Sequence, residues 1–552
     1  MASPEYKTFA KIVPSFEKVL LTKEPTAEEY SSTMLSNEQL NFQLVFKNEI
    51  PWATRNNRIE VAGDLAPFVS LRSVEQVAVS YTAPEADDYY IGKEPGLYPD
   101  LLKPFGGLGV VLPCRQWKAV WVSVRGGEDG LPAGLHTLAF KLFDEAGKEL
   151  AALSYSVEVL PVFAEKNDLK LTTWMHYDGI CRHYGVKPFT KKFYTVFEYF
   201  LKAYVDLGMN MLLTPLFTPP LDTAMGHERL TAQLVGVEVV DGGYRFDFSK
   251  LEEFVRFAQA HGIRYFEFSH LFTQWGGRFC PKIMAKKNGR TQKIFGWHVS
   301  SASTEYAAFL DAFLPALYEE ILKLGIKERS YMHLTDEPGP ASAETYEKCC
   351  ALVKRHMGGI PTMDALSEPV FCEKGIVDIP VPITKHYAKF LPFKKKELIV
   401  YYCCFPNNDY YSNRFINMPG VRTRILGAQL YATGATGFLH WGFNFYSSVL
   451  SLEEIDPYAV TDACGFFPGG DGYLVYPART GVNYSIRAEL TREAWQDYCA
   501  LKTLEKLAGK GASDKLIGEA GIKDYNEYPK ESAAFAAFRN KIYAKIKESL
   551  KK

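Results

Sequence analysis

Tyr331-Met-His-Leu-Thr-Asp-Glu-Pro-Gly-Pro340 is the most telling stretch of the chain, because a short, mostly apolar strand ends in two adjacent carboxylates, Asp336 and Glu337. Two carboxyls side by side repel. In a partly dry pocket one of them keeps its proton near neutral pH and can serve as a general acid. Glycosidic bonds need such an acid. The structural alternative is a strand end whose acids cap the next helix, with Pro338 in its first turn.

Outward from that strand, residues from about 168 alternate between strand-like and helix-like patterns. Eight strand-like runs occur: 171–177, 209–216, 264–271, 331–335, 362–366, 381–386, 397–403 and 437–444. Segments with helical spacing separate most of them, for example 193–201, 251–260 and 306–324. Eight such units predict an α/β chain with a (β/α)8 barrel, whose active site lies at the C-terminal strand ends. His176 and Asp178 follow run one, His270 and Trp275 follow run three, and His386 ends run six. Tyr401 and Tyr402 lie on run seven, and Trp441 and Asn444 on run eight. Each alone is weak, since a His or Trp near a strand end is commonly a core residue. Together they are candidate substrate-binding residues, because they converge on one rim. The long loops at 217–248 and 273–302 are expected to build its walls.

Before the barrel, residues 1–165 read as an antiparallel β-sandwich. Val120, Val122 and Val124 alternate with Trp121, Ser123 and Arg125, residues 41–46 form a further strand, and the 138–142 and 153–157 runs flank a turn at 144–147. Gly106-Gly-Leu-Gly109 lacks the third glycine and the βαβ setting of a nucleotide loop, and reads as a turn. The expected division is a sandwich at 1–165, a catalytic barrel at 166–480 and a C-terminal helical segment at 481–552 packed on the barrel. In that segment Phe535, Phe538, Ile542, Tyr543 and Ile546 recur at helical intervals, which leaves a homodimer contact open.

At 552 residues the chain supports more than one core. Its 63 basic and 64 acidic residues, with no long run of either sign, argue against nucleic acid or an anionic membrane as partner and suit a neutral oligosaccharide. Residues 1–7 lack the basic start and apolar run of a secretory signal and no window reaches the length of a membrane span, so a cytoplasmic protein is expected. The ten cysteines, with neighbours at 349–350 and 403–404, match no zinc spacing and are expected to be free thiols. No cofactor or metal is indicated, and there is no Gly-x-Ser-x-Gly elbow.

A carboxylate opposite Glu337, which ordinary glycosidases place ~5 Å away or farther, is hard to find. Asp364, Glu267 and Asp409 are the candidates, each with a structural role as the competing explanation. A substrate-assisted route needs none, because the sugar's own 2-acetamido oxygen attacks the anomeric carbon.

Several further stretches point the same way: Thr172-Thr-Trp-Met-His-Tyr-Asp178, Thr214-Pro-Leu-Phe217, Arg424-Ile-Leu-Gly-Ala-Gln-Leu-Tyr431, Gly437-Phe-Leu-His-Trp-Gly-Phe-Asn444 and Asp456-Pro-Tyr458. They continue through Gly470-Asp-Gly-Tyr473, Ser485-Ile-Arg487 and Trp495-Gln-Asp-Tyr498. With the Asp-Glu pair these resemble the glycoside hydrolase family 123 β-N-acetylgalactosaminidases and their relatives of domain of unknown function 4091, over most of residues 1–505. The resemblance implies a sandwich, a barrel, a helical tail and retaining, substrate-assisted catalysis. It casts Glu337 as general acid/base and Asp336 as the group that orients the acetamido nitrogen. Consecutive strand residues face opposite ways, so this division requires a backbone bend at the strand's end. By likeness to acetamido-sugar pockets, Tyr401 or Tyr402 would bond the acetamide carbonyl while Trp174, Trp275 or Trp441 packs on the ring. The alternatives are a glycosidase for sugars lacking the amide, with a second carboxylate such as Asp364, and a carbohydrate-binding protein without turnover.

Overall fold

The computed structural model describes residues 7–394 and 397–551; residues 1–6, on which the expectation about a leader rests, lie outside them. The chain is mixed α/β, with an N-terminal, largely antiparallel sheet region followed by parallel strands and helices.

Two sheets make up the N-terminal region. One orders Thr8–Pro14, Gln39–Asn48, Trp117–Arg125, Val69–Val79 and Gly96–Lys103; the other orders Ser31–Leu35, Glu149–Leu160, Gly134–Phe143, Thr54–Ala62 and Val110–Leu112. The expected hairpin is the Gly134–Phe143 and Glu149–Leu160 pair. Ser31–Leu35 departs from the antiparallel rule by pairing parallel to Glu149–Leu160. Alternation sorts the side chains: Val120, Val122 and Val124 join Phe42, Phe140 and Tyr155 between the sheets, and Phe42 stacks on Tyr155 at 4.0 Å.

Trp121 points the other way, into a second core shared with the C-terminal helices. The polar residues of that face are therefore buried as well. Gln39 and Asn41 donate to Glu489 and Glu493 of the helix Ile486–Ala508, at 3.0 and 3.2 Å. That helix starts at the N-cap Ser485, whose hydroxyl accepts from Ala488 N at 2.9 Å. Buried arginines stitch it to its surroundings: Arg487 to Asp100, Arg492 to Asp206, and Arg424 to Glu493 and Asp497. The hairpin of Val475–Pro477 and Val482–Ser485 extends the larger N-terminal sheet through Gly96–Lys103, so residue 480 falls inside a connection back to that sheet. The last helix, Ser532–Ser549, buries Phe535, Phe538, Ile542, Tyr543 and Ile546 as its spacing predicts. Its partners include the N-terminal sheet region, where Phe535 meets Phe16 edge-on, as well as the helix Ile486–Ala508.

The parallel strands are β1 (Lys170–Thr173), β2 (Met211–Thr214), β3 (Tyr265–Phe268), β4 (Ser330–His333), β5 (Thr362–Leu366), β6 (Ile379–Pro382), β7 (Ile399–Tyr401) and β8 (Gly437–His440). β2 to β6 form one sheet in chain order, and β1, β8 and β7 form another. An Ile383–Tyr401 parallel bridge joins β6 to β7, and Asn210 accepts from Leu171 N at 3.0 Å beside β1 and β2. Inward residues of these strands, among them Met211, Leu213, Met363, Val381, Ile399 and Leu439, share one apolar cluster. β6 ends at Pro382, four residues earlier than the sequence pattern suggests, because residues 384–386 turn into a 3-10 helix.

Candidate active site

At the C-terminal ends of these strands lies a cavity of about 350 Å³. Asp336 and Glu337 line it together with Trp174, Trp275, Tyr401 and Trp441. A regular strand could not aim both acids into one space. Glu337 adopts a left-handed backbone, φ 45°, and supplies the bend. The turn is held from several sides. Trp275 N donates to Asp336 O at 2.7 Å, and Thr335 N and Oγ1 both donate to Asp364 Oδ2 at 3.1 Å. Gly277 packs so closely that a Cβ there would meet Thr335 Cγ2 at 3.0 Å, and one on Gly276 would lie 2.3 Å from Ser342.

Left-handed backbone at residues other than glycine recurs around this cavity, at Asp222 (38°), Trp275 (58°), Glu337 (45°) and Leu450 (56°). Such conformations persist only where the surroundings over-determine them, and they gather at functional sites.

Tyr401 donates to Glu337 Oε1 at 2.6 Å. Burial and the Glu337 charge hold the Tyr401 phenol well above its usual pKa, so it remains a donor. Desolvation at the cavity wall, with the Glu337 charge beside it, also pushes the Asp336 carboxyl well above the usual range.

Beneath the pair runs a fully buried polar chain. His333 Nδ1 lies 2.7 Å from Glu267 Oε1 and its Nε2 3.4 Å from Asp364 Oδ1. Burial alone would strip the imidazole of its charge, but Asp364 and Glu267 outweigh it and hold its pKa at about 10. Glu267 also accepts from Thr172 Oγ1 at 2.9 Å and from Trp174 Nε1 at 2.8 Å. One ionic network therefore fixes a cavity wall and the residue preceding the acids. Glu267 and Asp364 are 0% exposed and do not line the cavity, and Asp409 is turned outward to Lys385 at 3.0 Å.

The remaining sequence candidates stand behind or away from the cavity. His176 is buried, with Nε2 2.9 Å from Trp441 O and Nδ1 3.2 Å from an Arg229 nitrogen; burial and that guanidinium push its pKa down to about 4. Asp178 pairs with Arg229 at 2.6 and 2.8 Å, and although burial opposes it, the guanidinium keeps the carboxyl below its usual range. Asn444 grips the His176 backbone in both directions, at 2.9 and 3.1 Å, tying the end of β8 to the end of β1. His270 is 1% exposed, between Trp174 and His333, and burial together with the His333 charge keeps it neutral. Tyr402 follows Tyr401 and so faces the opposite way, onto Phe438 and His440. His386 lies beyond the shortened β6, with Nδ1 3.1 Å from Ser367 O. These six support the site or the fold without lining the cavity.

Other lining residues escaped sequence inspection: Asp222 and Gln274 from the long loops, Cys403 and Cys404 after β7, and Leu450, Phe466 and Phe467 from the C-terminal connections. Asp222 lies in the 217–248 loop already expected to form a wall, but nothing local marks it. Phe466 and Phe467 are placed by Asp462, which accepts from Ser80 N, Tyr81 N and Gly465 N at 3.1, 2.8 and 3.0 Å. The N-terminal sheet thereby helps to hold one lip of the cavity. Behind another wall, Trp441 Nε1 donates to Asp471 Oδ2 at 2.9 Å, and burial raises the Asp471 carboxyl to about 7. None of the ten cysteines, all of which lie among the described residues, is joined in a disulfide. No helix among the described residues is long and apolar enough to cross a membrane.

A family model described as glycoside hydrolase 123, catalytic domain, matches residues 174–504. A family 123 glycoside hydrolase from Clostridium perfringens, reported for glycolipid glycan hydrolysis, has a similar structure with a TM-score of 0.75 and 13% identity, covering 99% of this chain and 98% of that one. At that identity the likeness speaks for the fold. An endo-β-1,4-mannanase from Thermotoga petrophila (TM-score 0.33, 14% identity, 60% of this chain and 77% of that one) and Bacteroides uniformis β-glucuronidase 2 (0.29, 11%, 85% and 49%) are too distant in structure to bear on it. No curated protein sequence matches the chain.

Proposed function

This chain belongs to the glycoside hydrolase 123 family, and on that premise we propose that it is a retaining exo-glycosidase removing β-linked 2-acetamido-2-deoxy sugars, N-acetylgalactosaminides foremost, by substrate-assisted catalysis. Its class, glycoside hydrolase, follows from the family; the donor and the route are the proposal. The substrate would be an oligosaccharide or glycoconjugate. We read the two parallel sheets as one closed (β/α)8 barrel at 166–480, after a sandwich at 1–165 and before a helical segment at 481–552, with the 475–485 hairpin as the seam.

The carrying observation is the bend at Glu337, which brings two consecutive carboxyls into one cavity. The sugar's amide oxygen closes onto C1 as Glu337 protonates the departing oxygen, and Glu337 then takes a proton from the water that opens the cyclic intermediate. Asp336 accepts the amide N–H. That donor favours the Asp336 carboxylate over its protonated form. The buried His333 network keeps the acids in register, and Tyr401 orients Glu337.

One observation favours a second reading: Asp222 also lines the cavity, so a two-carboxylate route on sugars lacking the amide has a candidate, whereas Asp364 does not reach that space. A panel of nitrophenyl β-glycosides with and without the 2-acetamido group separates the two. Turnover confined to acetamido donors, lost by a factor of about 10² to 10⁴ in Glu337→Gln with melting unchanged, is expected. Equal turnover of amide-free donors would refute substrate assistance, and near-normal Glu337→Gln activity would remove Glu337 from the acid role.

A further inference from the structure

The polar side chains of the cavity are few, and most are committed. Tyr401 bonds Glu337, the Gln274 amide donates to Thr223 O at 3.2 Å, and Asp336 and Glu337 serve the reacting centre in the reading above. Asp222 differs. Its Oδ2 accepts from Leu450 N at 2.9 Å, while Oδ1 has no hydrogen-bond partner among the described residues. Its placement is unusually rigid. The backbone is left-handed, its carbonyl accepts from Ser451 Oγ at 2.7 Å, and Ala224 N donates back to Leu450 O at 3.0 Å. Leu450 and Ser451 are left-handed too, at 56° and 55°. Three strained residues on two loops thus lock together to hold one free carboxylate oxygen at the cavity wall, a pattern of preorganisation for binding. Burial raises this carboxyl to about 6, so it is an acceptor in the neutral range.

We propose that Asp222 is the specificity-determining group of the site, accepting hydrogen bonds from ring hydroxyls remote from the reacting C1 of the donor sugar. The inference rests on the proposed function, which assigns the C1 oxygen to Glu337 and the C2 amide to Asp336. The other polar substituents of the sugar are hydroxyls at C3, C4 and C6, and Asp222, arriving from the loop after β2 rather than after β4, is a rigidly held acceptor for them that the reacting centre does not use. A site that accepts from a substrate hydroxyl discriminates strongly against an analogue lacking it, because its own acceptor is left unpaired.

The test compares wild type, Asp222→Ala and Asp222→Asn in the full chain on 4-nitrophenyl 2-acetamido-β-galactoside and on its 3-, 4- and 6-deoxy analogues. In the wild type at least one deoxy analogue should lose about tenfold or more in kcat/KM. Asp222→Ala should raise KM for the parent more than it lowers kcat, and the gap between parent and that analogue should close. Asp222→Asn keeps an acceptor oxygen for Leu450 N and should fold as the wild type does, which keeps the comparison valid if the alanine variant does not fold. Unchanged discrimination in a folded variant overturns the proposal. So does a collapse of kcat that azide restores with formation of a glycosyl azide, the behaviour of a nucleophile. Failure of the acetamido reading is separately visible as wild-type turnover of amide-free donors, in which case the deoxy series is built on the donor that is cleaved.

Discussion

Tyr401→Phe is the sharpest probe of the site, because it removes one oxygen and leaves the surroundings filled. The lost bond, 2.6 Å from the phenol to Glu337 Oε1, is short and runs to a carboxyl. Hydrogen bonds of that kind contribute about 1.5–3 kcal/mol. At about 1.4 kcal/mol per tenfold, kcat/KM should fall by roughly 10- to 150-fold if the bond holds Glu337 in its working position. Stability should hardly change. The ring lies in the apolar cluster with Trp174, Ile383 and Leu439, which a phenylalanine fills equally well, and Glu337 is exposed enough for water to take the phenol's place. The variant is assayed for kcat/KM on the best nitrophenyl donor and for its thermal midpoint. Activity within about threefold of wild type, with the midpoint unchanged, would mean that Glu337 needs no orientation by Tyr401. A large drop in the midpoint would instead give Tyr401 a structural role that the geometry does not predict.

Two further outcomes follow from buried charge. Asp336→Asn should impair acetamido donors while altering the pH dependence of stability. The folded state holds the Asp336 proton to higher pH than the unfolded chain, so wild-type stability falls as pH rises from the ordinary carboxylate range through the raised folded value. The asparagine variant lacks that fall. Its melting midpoint relative to wild type should improve toward alkaline pH and not at pH 3, and identical pH profiles would argue that Asp336 is not protonated in the free protein. Arg229→Leu strands Asp178 in the interior and removes the bond to Leu221 O, so about 3–5 kcal/mol of unfolding free energy should be lost, with Asp178→Leu in the same chain restoring part of it. A loss below about 1 kcal/mol in denaturant unfolding would contradict the burial of that pair.

Eight parallel strands, the N-terminal hairpin and the acidic pair were legible from local pattern, because strand alternation, turn residues and apolar runs are short-range signals. Tyr401 and Trp441 stand at or beside strand ends that the pattern itself marks and Trp275 in the loop after β3, and all three line the cavity, as does Trp174. The neighbours Tyr401 and Tyr402 were not separable in that way: period two says that they face apart but not which faces the cavity, and only the pairing of β7 with β8 settles it. His386 was misplaced when a 3-10 turn shortened β6. His176, Asp178, His270 and Asn444 have the residue types of a binding site, yet they serve as buried struts.

The sequence by itself determined the succession of elements, the family resemblance and the Asp336–Glu337 pair, all of which depend on residues close together in the chain. Only the tertiary structure decided which polar groups share the cavity. Asp222 is locked by Leu450 and Ser451, and Phe466 is held near the Asp462 clamp on Ser80 and Tyr81, across separations of more than two hundred residues. Contacts of that span leave no periodic trace, because side-chain packing and backbone strain at such places are set by whatever the fold brings alongside.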